Sequence, residues 1–305
     1  MRRKLIPQGL SGLTIYLPKK WVDRHGLKAG GEVSIEEEKQ GLFIESQSIP
    51  SKKEAIVSFT SNDPRFLRLV LTNYYRAGYD KIVLKGNILE SEVYPVLHRL
   101  IGFEITQSKN KEVIIESMMA SSEDNFETLM KQLFFIVKQD LEDLITAVKA
   151  VKKIDVEKVS VSSERALRNS SFCMRLVSQK RHEFDGFLWN TITLLAWISR
   201  QLYFLADELK DKKPAQLNNK QISYLEEIKS SFNDLYEGFY SKSRVNFEKV
   251  HAHYLSYEHE KFKLLQNKDV YTTIVMYHFS IIDQLVRRAA SSALGTLMLA
   301  EAINP

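Results

Sequence analysis

The sequence predicts an α+β protein of several domains: a small N-terminal β unit, a short α/β segment and a long all-α region. Three observations carry this. Residues 11–33, SGLTIYLPKKWVDRHGLKAGGEV, join a β-branched run, a basic helical stretch and a glycine turn. Residues 53–118 alternate strand-like and helix-like runs. From residue 121 onward, apolar residues recur at helical spacing in six long segments joined by short polar stretches.

Composition bounds the rest. A chain of 305 residues is long enough for about two or three domains. With 44% hydrophobic and 27% charged residues it reads as an ordinary soluble protein, and 12 Gly and 7 Pro favour long regular elements over elaborate loops. No apolar run reaches the ~18 residues needed to span a bilayer, so no membrane insertion is expected. The start, MRRKLIPQGL, lacks the apolar core of a secretory signal. Cys173 is the single cysteine and can form no internal disulfide, so the expected location is cytoplasmic. A net charge of +5 is mild, and only its distribution informs.

In the N-terminal unit, residues 1–48, Arg3 to Gln8 reads as an edge strand and Gly9 and Gly12 bracket a turn. Thr14-Ile15-Tyr16-Leu17 reads as a strand. Pro18 presets φ at a helix start, Lys19 to His25 gives about two helical turns, and Gly26 stops them. Ala29-Gly30-Gly31 turns into a strand from Glu32 to Glu37, with Val33 and Ile35 expected inward, and Lys39-Gln40-Gly41 turns into Leu42 to Glu45. The first half carries Arg2, Arg3, Lys4, Lys19, Lys20, Arg24 and Lys28 against Asp23 alone, while Glu32, Glu36, Glu37 and Glu38 fill the second half. A split of this kind offers one face to phosphate, although any single lysine here is as readily a solvated surface residue.

The order of these elements resembles the AbrB, or SpoVT-AbrB swapped-hairpin, family. The resemblance rests on LTIYLPKKWVDRHGLKAGGEV, with Gly31 where that family usually has Asp. It covers about the first 48 residues. It implies a homodimer in which two chains exchange hairpins, because a lone copy leaves strand edges unpaired. It also implies contact with double-stranded DNA, a role carried onto Arg2, Arg3, Lys4, Lys19, Lys20 and Arg24; Arg24 could instead pair with Asp23 or Glu32.

Residues 53–118 read as a small α/β subdomain. Ala55 to Phe59 is a strand; Asn62-Asp63-Pro64 caps a helix to about Ala77, with Phe66, Leu67, Val70 and Leu71 at helical spacing, and Gly78 ends it. Lys81 to Lys85 is a strand, Glu90 to Leu100 a helix, and Phe103 to Gln107 with Glu112 to Glu116 a hairpin. No glycine-rich phosphate loop is present. His98 lies on an apolar helix face and reads as a core or interface histidine rather than a metal ligand.

Residues 121–305 read as helices from Ser121 to about Val148, Val156 to Lys180, Asp185 to Lys212, Asn219 to Ser241, Val245 to Gln266 and Val270 to Ile303. Leu205-Ala206-Asp207 and Leu299-Ala300-Glu301 recur near the ends of the third and sixth, which suggests two repeats, about 121–213 and 217–305. This arrangement resembles the PhoU family, a pair of three-helix bundles. The order of head, α/β segment and helices is similar to archaeal phosphate uptake regulators. The resemblance implies a role in phosphate homeostasis and a phosphate transporter or signalling protein as partner. PhoU bundles carry carboxylate pairs one turn apart for a metal cluster; the matching positions here are Ala196 with Arg200 and Ala290 with Leu294. Arginines 168, 175, 200, 287 and 288 would lie near those places, so no metal and no cofactor is expected, and each arginine more readily pairs with a bundle glutamate. His251 and His253 point about 160° apart on a helix and, with His259, read as surface histidines. Tyr236, Phe239, Tyr240, Tyr254 and Tyr257 read as packing between helices.

No nucleophile elbow, paired His–carboxylate or metal spacing points to an enzyme. Cys173 reads as a buried small hydrophobe. Two readings stand: a DNA-binding transcriptional regulator with a dimeric head, or a protein-interaction module whose head only dimerises.

Overall fold

A computed structural model describes residues 2–9, 12–38, 41–46, 52–61, 63–109, 111–119, 123–179, 185–257, 263–264, 266 and 269–303. Asn62, Ser121 and His259, the Lys39-Gln40 turn, and the side chains of Glu36, Glu37 and Glu38 lie outside what is described. The chain is α+β and divides into two compact units, Met1–Lys52 and Lys53–Pro305.

The first unit holds two antiparallel hairpins and one short helix. Strands β1 (Ile6–Gln8) and β2 (Gly12–Thr14) pair with Ile6 opposite Thr14. Helix α1 (Lys19–Arg24) follows Pro18, and Gly26 leaves it at φ +61. Strands β3 (Val33–Glu38) and β4 (Gly41–Ser46) pair with Ile35 opposite Ile44. Three expectations are corrected here. The first strand begins at Ile6, not Arg3, and the second ends at Thr14, so Ile15, Tyr16 and Leu17 have no ladder among the described residues. A three-residue partner strand can pair only three residues, whatever the propensity of the rest. Ile35 is not inward: it is 57% exposed.

The second unit starts with β5 (Glu54–Ser58), α2 (Pro64–Arg76), β6 (Lys81–Lys85), α3 (Glu90–Leu97), β7 (Phe103–Lys109) and β8 (Glu112–Ser117). The sheet order is β5-β6-β8-β7. Strands β5 and β6 are parallel because α2 carries the chain back between them; the other pairs are antiparallel. Asp63 caps α2 by accepting from the Arg65 amide at 2.9 Å, and Gly78 ends it at φ +78. Alternation puts Val57, Ile82, Leu84, Val113 and Ile115 on one face, against Leu67, Leu71 and Tyr75 of α2. His98 is exposed at the end of α3 and so is not a core residue.

The long helices are α4 (Glu123–Lys149), α5 (Val156–Gln179), α6 (Gly186–Leu209), α7 (Asn219–Ser241), α8 (Arg244–Tyr257) and α9 (Val270–Ile303). Side-chain caps set the starts of α6, α7 and α9. Asp185 accepts from the amides of Phe187 and Leu188, Asn218 exchanges hydrogen bonds with Gln221, and Asp269 accepts from Thr272 at 2.7 Å. Helices α4, α5 and α6 pack on one another, as do α7, α8 and α9. The two sets meet along α6 and α9, which run antiparallel: Asn190 bonds Ser292, and Gln201 bonds His278. One apolar core runs through all six helices, from Met130 to Leu297. Phe134 is fully buried in it among Phe232, Tyr236, Phe239 and Tyr240. Helix α5 stays continuous through Asn169-Ser170-Ser171, all three buried.

The α/β segment shares its core with these helices, because Phe172 and Leu176 of α5 enter it. A partly buried ion pair marks the seam. Arg175 of α5 reaches Asp80 at 2.7 Å, donates to the carbonyls of Tyr75 and Tyr79, and stacks over the Tyr75 and Phe103 rings. Asp80 also accepts from Gln179 and from the backbone amide of Lys53, at 3.2 and 3.0 Å.

Candidate nucleic-acid interface

The N-terminal unit gathers the cations that the sequence singles out. Arg2, Arg3 and Lys4 lie on the segment leading into β1, and Lys19, Lys20 and Arg24 on α1. All six are exposed, as is Lys28. Among the described residues, no ion pair or hydrogen bond joins any of these side chains to a carboxylate. Arg24 therefore engages neither Asp23 nor Glu32. Lys19 and Lys20 occupy the first turn of α1, which contains no acidic residue. A helix start favours anions, so two lysines there do nothing for the helix and leave its first turn strongly electropositive.

Local chemistry fixes the turns and the short helix that carry these side chains. Pro18 is extended at φ −61 and needs no amide partner where the helix begins. His25 hydrogen-bonds the Ser46 hydroxyl at 3.0 Å and packs on Trp21, which ties α1 to the end of β4. The Gly31 amide closes a turn onto the Lys28 carbonyl at 2.9 Å, with Gly30 at φ +83, a conformation an L side chain rarely adopts. The turn forms with Gly31 in place of Asp. Thr14 donates its hydroxyl to Gln8 across the first hairpin.

The same unit also carries an apolar surface that the sequence pattern alone does not locate. Leu5, Ile6, Leu13, Ile15, Tyr16, Ile35 and Leu42 are 40–68% exposed. No described residue of 2–46 is buried. The signal was available in the strand alternation, but which side of each strand is covered depends on what lies against it. Apolar surface on this scale in so small a unit marks a contact site.

Residues 13–54 match the family model described as antidote-toxin recognition MazE, bacterial antitoxin. The match supports an N-terminal swapped-hairpin domain. No curated protein and no solved structure matches the chain at a significant level.

The second unit does not assemble the predicted arginines into one surface. Arg175 is buried in the seam with Asp80, and Arg200 stacks on Tyr203 and Phe204. Arg287 lies 4.4 Å from the Tyr254 ring centroid, while Arg168 and Arg288 are exposed. Ala196 and Ala290 are buried and Leu294 half-buried. Among the described residues, no group of three or more His, Cys, Asp or Glu side chains is placed to hold a metal ion. His253 is a correction: its side chain is 8% exposed, 3.4 Å from Glu227 and 3.5 Å from Asp283, because α8 turns that face onto α7 and α9. His251 is exposed. Cys173 is fully buried, and desolvation pushes its thiol up to about 12, which leaves it inert. Asp140, unremarked in the sequence, is buried at a groove of about 440 Å³ between α4 and α5 and accepts from Ser162 at 2.6 Å. Burial raises its carboxyl to about 6. No helix among the described residues is long and apolar enough to cross a membrane.

Proposed function

We propose that this chain is a cytoplasmic, non-enzymatic DNA-binding transcriptional regulator that works as a homodimer through its N-terminal unit. The observation that carries the reading is the pairing of two surfaces on one unit. Arg2, Arg3, Lys4, Lys19, Lys20 and Arg24 are exposed and, among the described residues, pair with no carboxylate, while apolar strand residues stand open for a second copy. Two interlocked copies would cover the apolar side and double the cationic side. The family match at residues 13–54 supports the same domain type.

The two mutually packed helix triples support a PhoU-like reading of the second unit. With it comes a role in phosphate homeostasis, the helices sensing a signal or a partner. Exposed Trp197, Phe204 and Tyr277 favour a second reading. There the helices contact a phosphate transporter or sensor kinase and the head only dimerises.

The test is a gel shift of the full chain against salt. A dimer neutralising on the order of 6–10 phosphates loses ~10³–10⁵ in affinity between about 50 and 200 mM salt. Lys19→Glu with Lys20→Glu should lower affinity by at least about 10²-fold while leaving the fold intact, since both side chains are exposed. Undiminished binding by that double variant would remove these residues from the interface.

A further inference from the structure

Strand β5 ends the four-stranded sheet, and among the described residues nothing pairs with its outer edge. The two edges of this sheet are built differently. Strand β7 is interrupted by a bulge between Ile105 and Gln107 and carries Glu104 and Lys109, features that discourage a further strand. Strand β5, Glu54-Ala55-Ile56-Val57-Ser58, has no bulge and no proline, and its centre is apolar. Such an edge is a template for pairing.

The hydrogen-bond parity of β5 follows from its ends. The Phe59 amide donates to the Lys85 carbonyl, and the Lys53 carbonyl accepts from the Lys81 amide. Odd-numbered residues therefore bond to β6, and the amide and carbonyl groups of Glu54, Ile56 and Ser58 face the open edge. These three positions are symmetric about Ile56. Ile56 is 69% exposed and sits in register with Val83 of β6 and Ile114 of β8 on the face not covered by α2. Beside this apolar row lie the ion pairs Lys81–Glu54, Lys81–Glu116 and Lys85–Glu112.

We propose that β5 pairs antiparallel with β5 of a second copy of this chain across a two-fold axis through Ile56, joining two four-stranded sheets into one of eight. In this register Ile56 faces the partner's Ile56, and Glu54 faces Ser58 of the partner subunit. No like charges oppose each other, and every outward amide meets a carbonyl. The row of Ile114, Val83 and Ile56 continues unbroken into its symmetric equivalent. Only seven residues separate β4 from β5, a connection that spans at most about 25 Å when fully extended. The dimeric head proposed above would thus hold two β5 strands at high effective concentration. That support rests on the head; the complementarity of the edge does not.

The test uses the full chain carrying Ile56→Cys and a short bismaleimide. Cys173 is fully buried, so residue 56 supplies the reactive thiol. The expected product is a covalent dimer. Glu54→Cys alone and Ser58→Cys alone should not cross-link, because each residue lies about 13 Å from its own symmetry mate along the strand; a mixture of the two should. Ile56→Pro deletes an amide that faces outward and leaves the β5–β6 bonds intact, so the fold survives and the dimer dissociation constant rises about tenfold or more. If Ile56→Pro fails to fold, Ile56→Lys, which sets two like charges face to face, gives the same readout. An uncross-linked Ile56→Cys chain, or a dissociation constant within about twofold of wild type in the folded variant, overturns the proposal. Cross-linking that persists while Lys19→Glu/Lys20→Glu binds DNA undiminished would sink the DNA reading and leave this one standing.

Discussion

The two units of this chain handle apolar surface in opposite ways. In the helical region, apolar stripes face one another within the chain, and a core running from Met130 to Leu297 results. In the N-terminal unit, no described residue is buried and seven large apolar side chains stand open. Length explains the contrast. Six helices of 14 to 34 residues can enclose one another, whereas two hairpins of three- and six-residue strands cannot. The lesson is that a small β unit with good turns and good alternation can be well specified locally and still leave its apolar side open.

Substitutions can break or sharpen this contrast. The largest effect is expected at Phe134, where truncation to Ala should lower the unfolding free energy by about 3–5 kcal/mol. Leu13→Ala, at a side chain 63% exposed, should leave the unfolding of a single copy almost unchanged and weaken dimerisation instead. Denaturant melts and sedimentation equilibrium on both variants test this; a Leu13→Ala loss as large as that of Phe134→Ala would erase the distinction. Next comes the seam. Arg175→Ala removes the cation beside Asp80 and the side-chain donor to the Tyr79 carbonyl, while Asp80 keeps its bonds from Gln179 and Lys53, so a loss of about 2–3 kcal/mol is expected in the same melts.

The smallest effect concerns pH. The folded-state pKa of Asp140 is raised to about 6 from 3.8, so the native state binds its proton more tightly than the unfolded chain. Stability from this group is highest below about pH 4, falls as pH rises to about 6, and stays low above that. Asp140→Asn should therefore be more stable than wild type at pH 7–8, by on the order of 2 kcal/mol, with the difference vanishing near pH 4. A constant difference across that range would show that the carboxyl is not the cause.

Element positions were legible wherever local chemistry sets them. Asp185 caps α6, Asp63 caps α2, and Gly26 and Gly78 stop their helices at positive φ, each as the residue type dictates. Local reading failed where a distant partner decides. Ile15, Tyr16 and Leu17 have strand propensity but no ladder among the described residues, because β1 is too short to reach them. His253 and Arg175 read as surface or bundle residues, yet each is enclosed by groups dozens of positions away.

By itself the sequence determined the order and type of the elements, the clustering of positive charge before residue 30, and the apolar stripes of the long helices. These follow from torsional preference, capping and periodicity, all of which act within a few residues. Only the tertiary structure decided that the α/β segment shares its core with α5, that Asp140 is buried, and that β5 ends its sheet with no further strand beside it among the described residues. Those outcomes depend on which surfaces meet, and burial is settled between segments far apart in the chain.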